Sequence, residues 1–387
     1  MTACQSCGSG ELEDVLDFGD TPICNDFTPR PDTPQKRYPM KLVHCRYCGL
    51  DQLSYVPPAS EVFGPSFNYL SSSSKGVVKH YSEMAASLKG RYGLGPSDLV
   101  LDVASNDGVL LKPFRDLGMK TLGVEPVEKI AMLATEQGLL TIPQRFEDVR
   151  IRAKPSLITA MDVLAHTDTP HEFLERLYEL MAESGALFVC QSQYFPASMA
   201  KDEWDTIYFE HARYFSVRSL QALLLRHGIQ VDDVEYSDFY GGSFLAHCSL
   251  GSRSKLIPER LHVDYSAFAR RTERNIKKLG SMLVDYKWQH KRVAGIGAPM
   301  KSSTLLNAIG ADSSLVAYLT EVNPLKVGTY APGTRIPVVD ESVFFAKPPD
   351  VALVLTWNYA EPIMAAYRKR GYRGAFVVPI PHPKVVE

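Results

Sequence analysis

Short apolar runs alternate with helical spacing through most of the chain after residue 75. Apolar side chains recur three and four positions apart from Val77 to Leu88, as they do on the buried face of a helix. An apolar run then leads into a polar turn that contains glycine and into a second apolar helix, so a strand, a turn and a helix are expected. Strands are predicted at 99–103, 122–126, 157–161 and 186–190, with a helix from Thr169 onward. This alternation predicts an α/β domain with a mostly parallel sheet.

The same pattern starts again after about residue 255. A long helix is predicted at 265–288, followed by a strand that ends in the turn Gly295-Ile296-Gly297. A helix at 302–309 and strands at 315–319, 351–355 and 375–379 complete a second doubly wound, Rossmann-like domain. The glycine turn is open to two interpretations, a ligand-binding turn or a turn that only lets strand and helix pack closely.

The first 72 residues have a different character. They are rich in Cys, Pro and Asp, show no long helical period and end in a run of serines, which is typical of a small module built mainly of loops. Two CxxC pairs, each beside a glycine, predict a structural zinc site with four thiolate ligands and no open position. The ligands are Cys4, Cys7, Cys45 and Cys48. Two alternatives are unrelated surface cysteines and a redox CxxC motif. A redox motif opens a helix after a strand, and neither pair is predicted in that position.

Composition narrows the class of protein. A length of 387 residues predicts more than one domain, and we expect a zinc-binding module at 1–74 and α/β domains at 75–255 and 256–387. No stretch approaches the roughly 20 apolar residues of a membrane helix, and the first residues do not resemble a secretory signal. We therefore expect a cytoplasmic protein, and a monomer. A net charge of −2 disfavours nucleic acid as a partner, so a small ligand is expected.

The predicted parallel sheet at 75–255 has a nucleoside-binding pattern. Its first strand ends in the glycine turn at 104–108, and Glu125 ends the second strand, where an acid bonds ribose hydroxyls in doubly wound folds. Because the turn lacks GxGxxG, a nucleoside without a pyrophosphate fits better than a dinucleotide. A purely local role for Glu125, capping the next turn, stays open at this point.

Several segments together resemble a known family. The paired CxxC motifs, the turn Ala-Ser-Asn-Asp-Gly and the segment Tyr208-Phe209-Glu210-His211 occur in the same order as in the sugar 3-C-methyltransferases of antibiotic deoxysugar pathways. Further matching segments lie at 297–301, 323–326, 331–334 and 356–359. The resemblance covers the whole chain. It implies an N-terminal zinc module, an S-adenosylmethionine (SAM) domain, and a C-terminal Rossmann-like domain that binds a nucleotide-linked keto-sugar against the SAM domain.

The resemblance also implies roles for individual residues. Those expected near SAM are Ser105, Asn106, Asp107 and Gly108 at the methionine part, Glu125 at the ribose, and Met161 to Ala165 near the sulfonium and adenine. Those expected to act in catalysis are Tyr208, Glu210, His211 and His166. Those expected to bind the substrate are Lys301, Asn323, Lys326 and Arg335, although each of the three cations is equally explained as a surface charge.

The expected chemistry is methylation of carbon 3 beside a 4-keto group. Removing a proton there requires a base near neutrality and a donor at the developing enolate oxygen. We expect His211 to be the base, Tyr208 to donate to the enolate oxygen or hold the sugar, and Glu210 to orient or polarise this network. Alternatives are a SAM-dependent O- or N-methyltransferase and a noncatalytic homologue. The sequence departs from the family where Phe209 often is His, and where a His-Gly-Gly-Ser-Leu-Arg segment begins with Tyr240 and ends with Leu245.

Overall fold

The N-terminal part is a small antiparallel sheet. The structure, a computed structural model, describes residues 3–63, 69–253 and 255–387. Strands β1 (Leu12–Thr21), β2 (Tyr38–Cys45) and β3 (Asp51–Leu53) pair in that order and precede a short helix, α1 (Ala59–Val62). Most of the described residues of this module lie in turns and loops, as expected, but the sequence analysis did not predict its strands. Register shifts within the pairing of β1 with β2 interrupt the regular alternation by which strands are recognised in a sequence.

The central domain is a doubly wound sheet covered by helices. Its elements are α2 (Lys75–Tyr92), β4 (Leu99–Val103), α3 (Leu111–Asp116), β5 (Lys120–Val124), α4 (Glu128–Glu136), β6 (Thr141–Ile142), β7 (Leu157–Met161), α5 (Pro170–Ser184), β8 (Leu187–Gln193), α6 (Phe195–Ala200), β9 (Arg213–Tyr214), α7 (Val217–Leu225), β10 (Ile229–Ser237) and β11 (Ser243–Leu250). The sheet has the order β10-β11-β8-β7-β4-β5-β6, and only the pairings of β11 are antiparallel within these described strands. The parallel sheet expected from the sequence is confirmed.

Strand β9 belongs to a different sheet. It pairs antiparallel with β3, so Arg213 and Tyr214 of the central domain complete the N-terminal sheet. The side chain of Arg213 is buried and reaches across this junction. Its Nε donates to the Leu164 carbonyl at 3.0 Å, and its terminal nitrogens donate to Gln5 and to the Thr167 carbonyl. The N-terminal sheet is thus attached directly to the segment that carries Tyr208 and His211.

The C-terminal domain is a second doubly wound sheet. Its elements are α8 (Tyr265–Trp288), β12 (Val293–Ile296), α9 (Lys301–Ala308), β13 (Leu319–Glu321), β14 (Val338–Asp340), α10 (Glu341–Ala346), β15 (Val351–Val354), α11 (Ala360–Lys369), β16 (Ala375–Val378) and β17 (Lys384–Val386). The strand order is β14-β13-β12-β15-β16-β17. The strand predicted at 315–319 is wrong except for its last residue. The chain turns there, with the amides of Leu315 and Val316 donating to the Asp312 carbonyl, and Val316 is apolar because it is buried.

The three parts meet in one apolar core. Leu42 of β2, Phe209 of the Tyr-Phe-Glu-His segment and Leu305 of α9 belong to the same cluster of buried side chains. The predicted catalytic segment therefore lies where the N-terminal sheet and both α/β domains join. In the ranges that the structure describes, no helix has the length and apolar character needed to cross a bilayer.

Candidate active site

The first turn of the central domain has an unusual backbone. Ala104, Asn106 and Gly108 all have positive φ values, of 53°, 49° and 82°. The turn follows β4, the strand at which the sheet order reverses, and this is where doubly wound sheets bind ligands. A Cβ on Gly108 would lie 2.3 Å from Leu139 Cδ1, so a larger residue does not fit. The buried Ser105 hydroxyl has no hydrogen-bond partner among the described residues. The turn therefore combines a left-handed backbone with a buried Ser105 hydroxyl that has no partner among the described residues.

Glu125 is held firmly beside this turn. One carboxylate oxygen accepts from the Asn106 amide at 3.0 Å, and the other accepts from the Val127 amide at 2.8 Å. Burial raises the pKa of Glu125, and the two amides partly oppose that rise. The capping role that the sequence left open is therefore observed. A ribose contact through the remaining lone pairs stays a prediction.

A segment before α2 lies across the same turn. Asn106 accepts from the Ser71 amide at 2.9 Å through its side-chain oxygen and donates to the Tyr69 carbonyl at 3.2 Å. Asp107 accepts from the Ser72 hydroxyl at 2.5 Å. The side chains of Asn106 and Asp107 thus hold the serine run in place. Their contact with the methionine part of SAM stays a prediction.

The connection after β7 joins the cofactor edge to the catalytic segment. Met161 is the last residue of β7, and four residues later the Ala165 carbonyl accepts from the Ala212 amide at 2.9 Å. His166 Nδ1 lies 2.5 Å from the Glu210 carbonyl. These bonds bring two regions together that are more than forty positions apart in the sequence. The structure therefore places Met161, Ala165 and His166 on one connection, whose end lies against the segment that carries His211.

Tyr208 and His211 form a close pair. The Tyr208 hydroxyl lies 3.2 Å from His211 Nε2, and the His166 and His211 rings are 4.8 Å apart. Burial, together with the neighbouring His166, lowers the pKa of His211 well below its ordinary value. The imidazole is therefore neutral at physiological pH and has a free position for a proton, and the same burial makes it a weaker base than an exposed imidazole. Burial raises the pKa of Tyr208 well above its ordinary value, so its hydroxyl remains a donor.

Glu210 points into a different and drier environment. It is 2% exposed, and neither carboxylate oxygen has a hydrogen-bond partner within the described ranges. Burial raises the pKa of Glu210 to about 7, while the backbone of Asn25 and the Lys326 ammonium act in the opposite direction. Residues from all three parts of the chain therefore surround this carboxyl group.

The predicted substrate residues do not form one cluster. Lys301 Nζ lies 3.6 Å from the Trp357 ring centroid and donates to the Asn358 side chain. Lys326 donates to the Ala298 carbonyl at 2.9 Å, so both lysines border the glycine turn after β12. Asn323 has a local role, because its side-chain oxygen accepts from the Leu325 amide at 3.0 Å. Arg335 is exposed.

The four predicted zinc ligands converge. All four sulfur atoms lie within 4.8 Å of one another, with Cys4 and Cys48 at 3.5 Å and Cys7 and Cys45 at 3.6 Å. A tetrahedral site with Zn–S bonds of about 2.3 Å needs sulfur separations of about 3.8 Å. The Ser6 amide donates to Cys4 Sγ at 3.4 Å, as expected around a thiolate ligand. The donor set fits zinc.

Comparison with known proteins agrees with this arrangement. The chain is 32% identical to the C-methyltransferase NovU of Streptomyces niveus, over 99% of this chain and 96% of NovU. Three family models match in succession: a domain described as zinc binding at 4–63, a methyltransferase domain at 79–234 and a C-methyltransferase C-terminal domain at 260–381. The chain belongs to the C-methyltransferase family.

Other known proteins match only part of the chain. The ubiquinone biosynthesis O-methyltransferase of Nitrobacter winogradskyi is 31% identical over 23% of this chain and 36% of its own length. A SAM-dependent methyltransferase from Clostridium acetobutylicum has 15% identity and a TM-score of 0.37, covering 45% of this chain and 92% of its own. Magnesium protoporphyrin IX methyltransferase from Synechocystis has 17% identity and a TM-score of 0.37, with coverage of 45% and 82%.

Family membership decides several of the open alternatives. The protein is a SAM-dependent C-methyltransferase with an N-terminal zinc module, so carbon is the methyl acceptor rather than oxygen or nitrogen. The same finding decides against a noncatalytic homologue. The turn at 104–108, with its three positive φ values at the point where the strand order reverses, is the feature of this C-methyltransferase that fits SAM.

Three further side chains near this edge of the sheet received no individual role from the sequence. Asp162 lies inside the predicted stretch from Met161 to Ala165 and directly follows β7, as Glu125 follows β5. Tyr69 and Tyr240 are 171 positions apart, yet their hydroxyls lie 3.1 Å from each other. No local pattern predicts such a contact.

Proposed function

We propose that this C-methyltransferase methylates carbon 3 of a nucleotide-linked 4-keto-deoxysugar through an enolate, with His211 as the base. Two features support the proposal: the sequence resemblance to sugar 3-C-methyltransferases and the pairing of a neutral imidazole with a tyrosine hydroxyl in a dry site. The pair of His211 and Tyr208, 3.2 Å apart, is the observation that carries it. Methylation at oxygen or nitrogen needs a base but has no need of an enolate donor.

The two side chains have complementary tasks. His211 removes the proton on carbon 3, because burial keeps its imidazole neutral. Tyr208 donates to the oxygen at carbon 4 as negative charge develops there, since its hydroxyl stays protonated. When bound, SAM supplies an electrophilic methyl group, and the enzyme aligns the enolate carbon with it.

His166 and Glu210 position this pair. The 2.5 Å contact from His166 to the Glu210 carbonyl fixes the backbone that carries His211. A positive charge on either imidazole disfavours a second charge on the other, because the two rings are 4.8 Å apart. Glu210 takes part through its backbone carbonyl, while its side-chain carboxyl group lies in the separate buried environment described above.

The diphosphate of the substrate is proposed to bind in the C-terminal domain. Lys301 and Lys326 border the turn after β12, where the sheet order reverses. Burial lowers the pKa of both ammonium groups, and nearby acids oppose that effect. A desolvated cation gains more from a phosphate than an exposed one does. The exposed Arg335 and the local capping bond of Asn323 make these two residues weaker candidates.

Mass spectrometry tests the proposal. Purified enzyme, SAM and a panel of nucleotide-linked 4-keto-deoxysugars are expected to give one additional methyl group on carbon 3. His211→Ala is expected to lower turnover by about 10²- to 10⁴-fold, because general-base catalysis contributes this much. In heavy water without SAM, the wild type is expected to exchange the carbon 3 proton, and Tyr208→Phe is expected to slow that exchange.

Two results distinguish the outcomes. His211→Ala should retain its affinity for SAM, which shows that the protein is folded and that the loss concerns the proton transfer. His290→Ala is a matched control, because His290 lies in the turn after α8, away from the described site. Methylation without enzyme-dependent exchange at carbon 3 would contradict the enolate, and full turnover by His211→Ala would remove His211 as the base.

A further inference from the structure

A second acid, Asp162, lies at the cofactor edge of the central sheet. It directly follows β7, and β7 and β5 are the two neighbours of β4. Glu125, which follows β5, has both of its oxygens occupied by backbone amides. Asp162 has one oxygen, Oδ2, that accepts from Gln191 Nε2 at 2.7 Å. Its Oδ1 has no hydrogen-bond partner in the described parts of the chain, so one acceptor is free.

Neighbouring side chains hold this carboxylate in place. The Asp162 amide donates to the Gln191 carbonyl at 2.9 Å, and the residue has a positive φ of 60°. Gln191 in turn lies 2.7 Å from His80 Nε2 through its side-chain oxygen. An aspartate in a left-handed conformation, anchored through both backbone and side chain, is preorganised rather than adaptable.

A group of aromatic side chains is linked to this carboxylate through Gln191. His80 stacks on Phe239 with ring centroids 3.6 Å apart, and Phe239 contacts Tyr240 at 4.0 Å. The Tyr240 hydroxyl meets the Tyr69 hydroxyl at 3.1 Å. Burial is the main reason why the pKa values of Tyr69 and Tyr240 are raised, and the negative charge of Asp162 adds to the rise in both. The carboxylate therefore lies close to both tyrosines.

A carboxylate with aromatic side chains nearby suits a cationic ligand. Ring faces attract positive charge, and a largely desolvated carboxylate without a cationic partner is destabilised. Burial raises the pKa of Asp162 to about 6, and the bond from Gln191 offsets this only in part. Among the described residues no lysine or arginine is hydrogen-bonded to Asp162. The missing positive charge is therefore expected from the ligand.

We propose that Asp162, with Tyr69 and Tyr240, recognises the sulfonium of SAM and makes this C-methyltransferase select SAM over S-adenosylhomocysteine. SAM carries two cations, the sulfonium and the α-ammonium. Asp162 begins the short connection that leads to His166 and the Tyr208–His211 pair, and the reacting methyl group must lie on that side. After the methyl group has moved to carbon, the sulfur is neutral. The product then loses this attraction and is released more readily.

Binding measurements on the zinc-loaded full chain test the proposal without turnover. The dissociation constants of SAM, S-adenosylhomocysteine and sinefungin, in which an amine replaces the methylated sulfur, are compared for wild type and Asp162→Asn. Asp162→Asn is expected to weaken the binding of SAM and sinefungin at least about tenfold, because the Coulombic attraction between the carboxylate and the positive charge is lost. The affinity for S-adenosylhomocysteine is expected to change much less.

Other outcomes overturn the proposal. Equal weakening of SAM and S-adenosylhomocysteine would assign Asp162 to the α-ammonium, and unchanged binding of all three would remove Asp162 from the site. Asp233→Asn is the matched control, because Asp233 is exposed on β10 and pairs with Arg91. If Asp162→Asn fails to fold, the same binding measurements on Tyr240→Leu test the proposal. Loss of its ring face is expected to weaken SAM more than S-adenosylhomocysteine, and an equal effect on both would contradict the proposal.

Discussion

Burial without hydrogen-bond partners raises the pKa of individual carboxyl groups in this enzyme. Glu210 illustrates the effect, because both of its oxygens lack partners among the described residues and its pKa rises to about 7. A free carboxyl group in the unfolded chain titrates near its ordinary value of 4.5. The folded state therefore binds a proton in a pH range where the unfolded state does not.

This difference predicts how stability depends on pH. Stabilisation from the protonated Glu210 is fully present below the unfolded pKa and is lost as the pH rises through about 7. The loss amounts to about 3 kcal/mol, since one pKa unit corresponds to about 1.4 kcal/mol. Glu210→Gln does not titrate. Its thermal unfolding midpoint is therefore expected to exceed that of wild type by more at pH 8 than at pH 5.

Thermal unfolding at the two pH values checks this expectation. Glu136→Gln, at an exposed position on α4, serves as the control and is expected to shift the midpoint equally at both. A Glu210→Gln shift that is the same at pH 5 and pH 8 would show that burial does not raise the pKa of Glu210.

Close packing of a strand against the first turn shapes the cofactor edge. Gly123 lies in β5, and a Cβ at this position would be 2.5 Å from Ser105 Oγ and 2.9 Å from Leu111 Cδ1. Ser105 fits beside the strand because residue 123 has no side chain. The turn after β4 and the strand β5 therefore depend on each other.

Gly123→Ala is expected to destabilise the protein and to weaken SAM binding together. Overpacking of a core lowers the free energy of unfolding by about 1–3 kcal/mol. The added methyl group also displaces the turn at 104–108, which then loses the backbone conformation that we expect to bind SAM. Gly90→Ala in α2 is the matched control, because a Cβ on Gly90 would have no atom of the described residues within 4 Å outside its own helix turn. That change is expected to stabilise the helix by about 0.5–1 kcal/mol. Calorimetric SAM titration and thermal unfolding distinguish the two variants; normal SAM affinity in Gly123→Ala would contradict the dependence.

The zinc module and the catalytic segment form one assembly across the whole molecule. Strand β9, two residues after His211, pairs with β3 of the N-terminal sheet. Arg213 also donates to the Gln5 side chain, and Gln5 lies next to Cys4. The four cysteines therefore anchor the sheet that holds the backbone near His211.

Removing zinc is expected to slow methyl transfer while SAM binding is retained. Metal analysis should find one zinc per chain, and Cys45→Ser or chelation should lower the unfolding midpoint, because the zinc supplies folding energy to the module. Methyl transfer should fall about tenfold or more. Cys248→Ala, a buried cysteine outside the cluster, should keep its zinc. Full methyl transfer by zinc-free protein would separate the module from the catalytic segment.

The sequence by itself determined the elements whose signals are local. Residues 265–288 form the predicted helix and 157–161 the predicted strand, because periodic burial and capping are written in neighbouring residues. The zinc ligands followed from the spacing of two short motifs. The N-terminal strands were not predicted, because their pairing is irregular and one of them pairs with residues 213–214, far away in the sequence. The short strand at Leu319 was placed too early because buried turn residues are as apolar as strand residues.

Tertiary structure alone decided which side chains meet. His166 contacts the Glu210 carbonyl, Tyr69 meets Tyr240, and Asp162 keeps a free oxygen while Glu125 does not. These contacts join positions far apart in the chain, so no window of sequence contains both partners. Burial has the same origin, because a carboxyl group is desolvated by whatever the rest of the fold packs around it. The sequence thus indicates which residues are candidates, while the tertiary structure determines their protonation states and their hydrogen-bond partners.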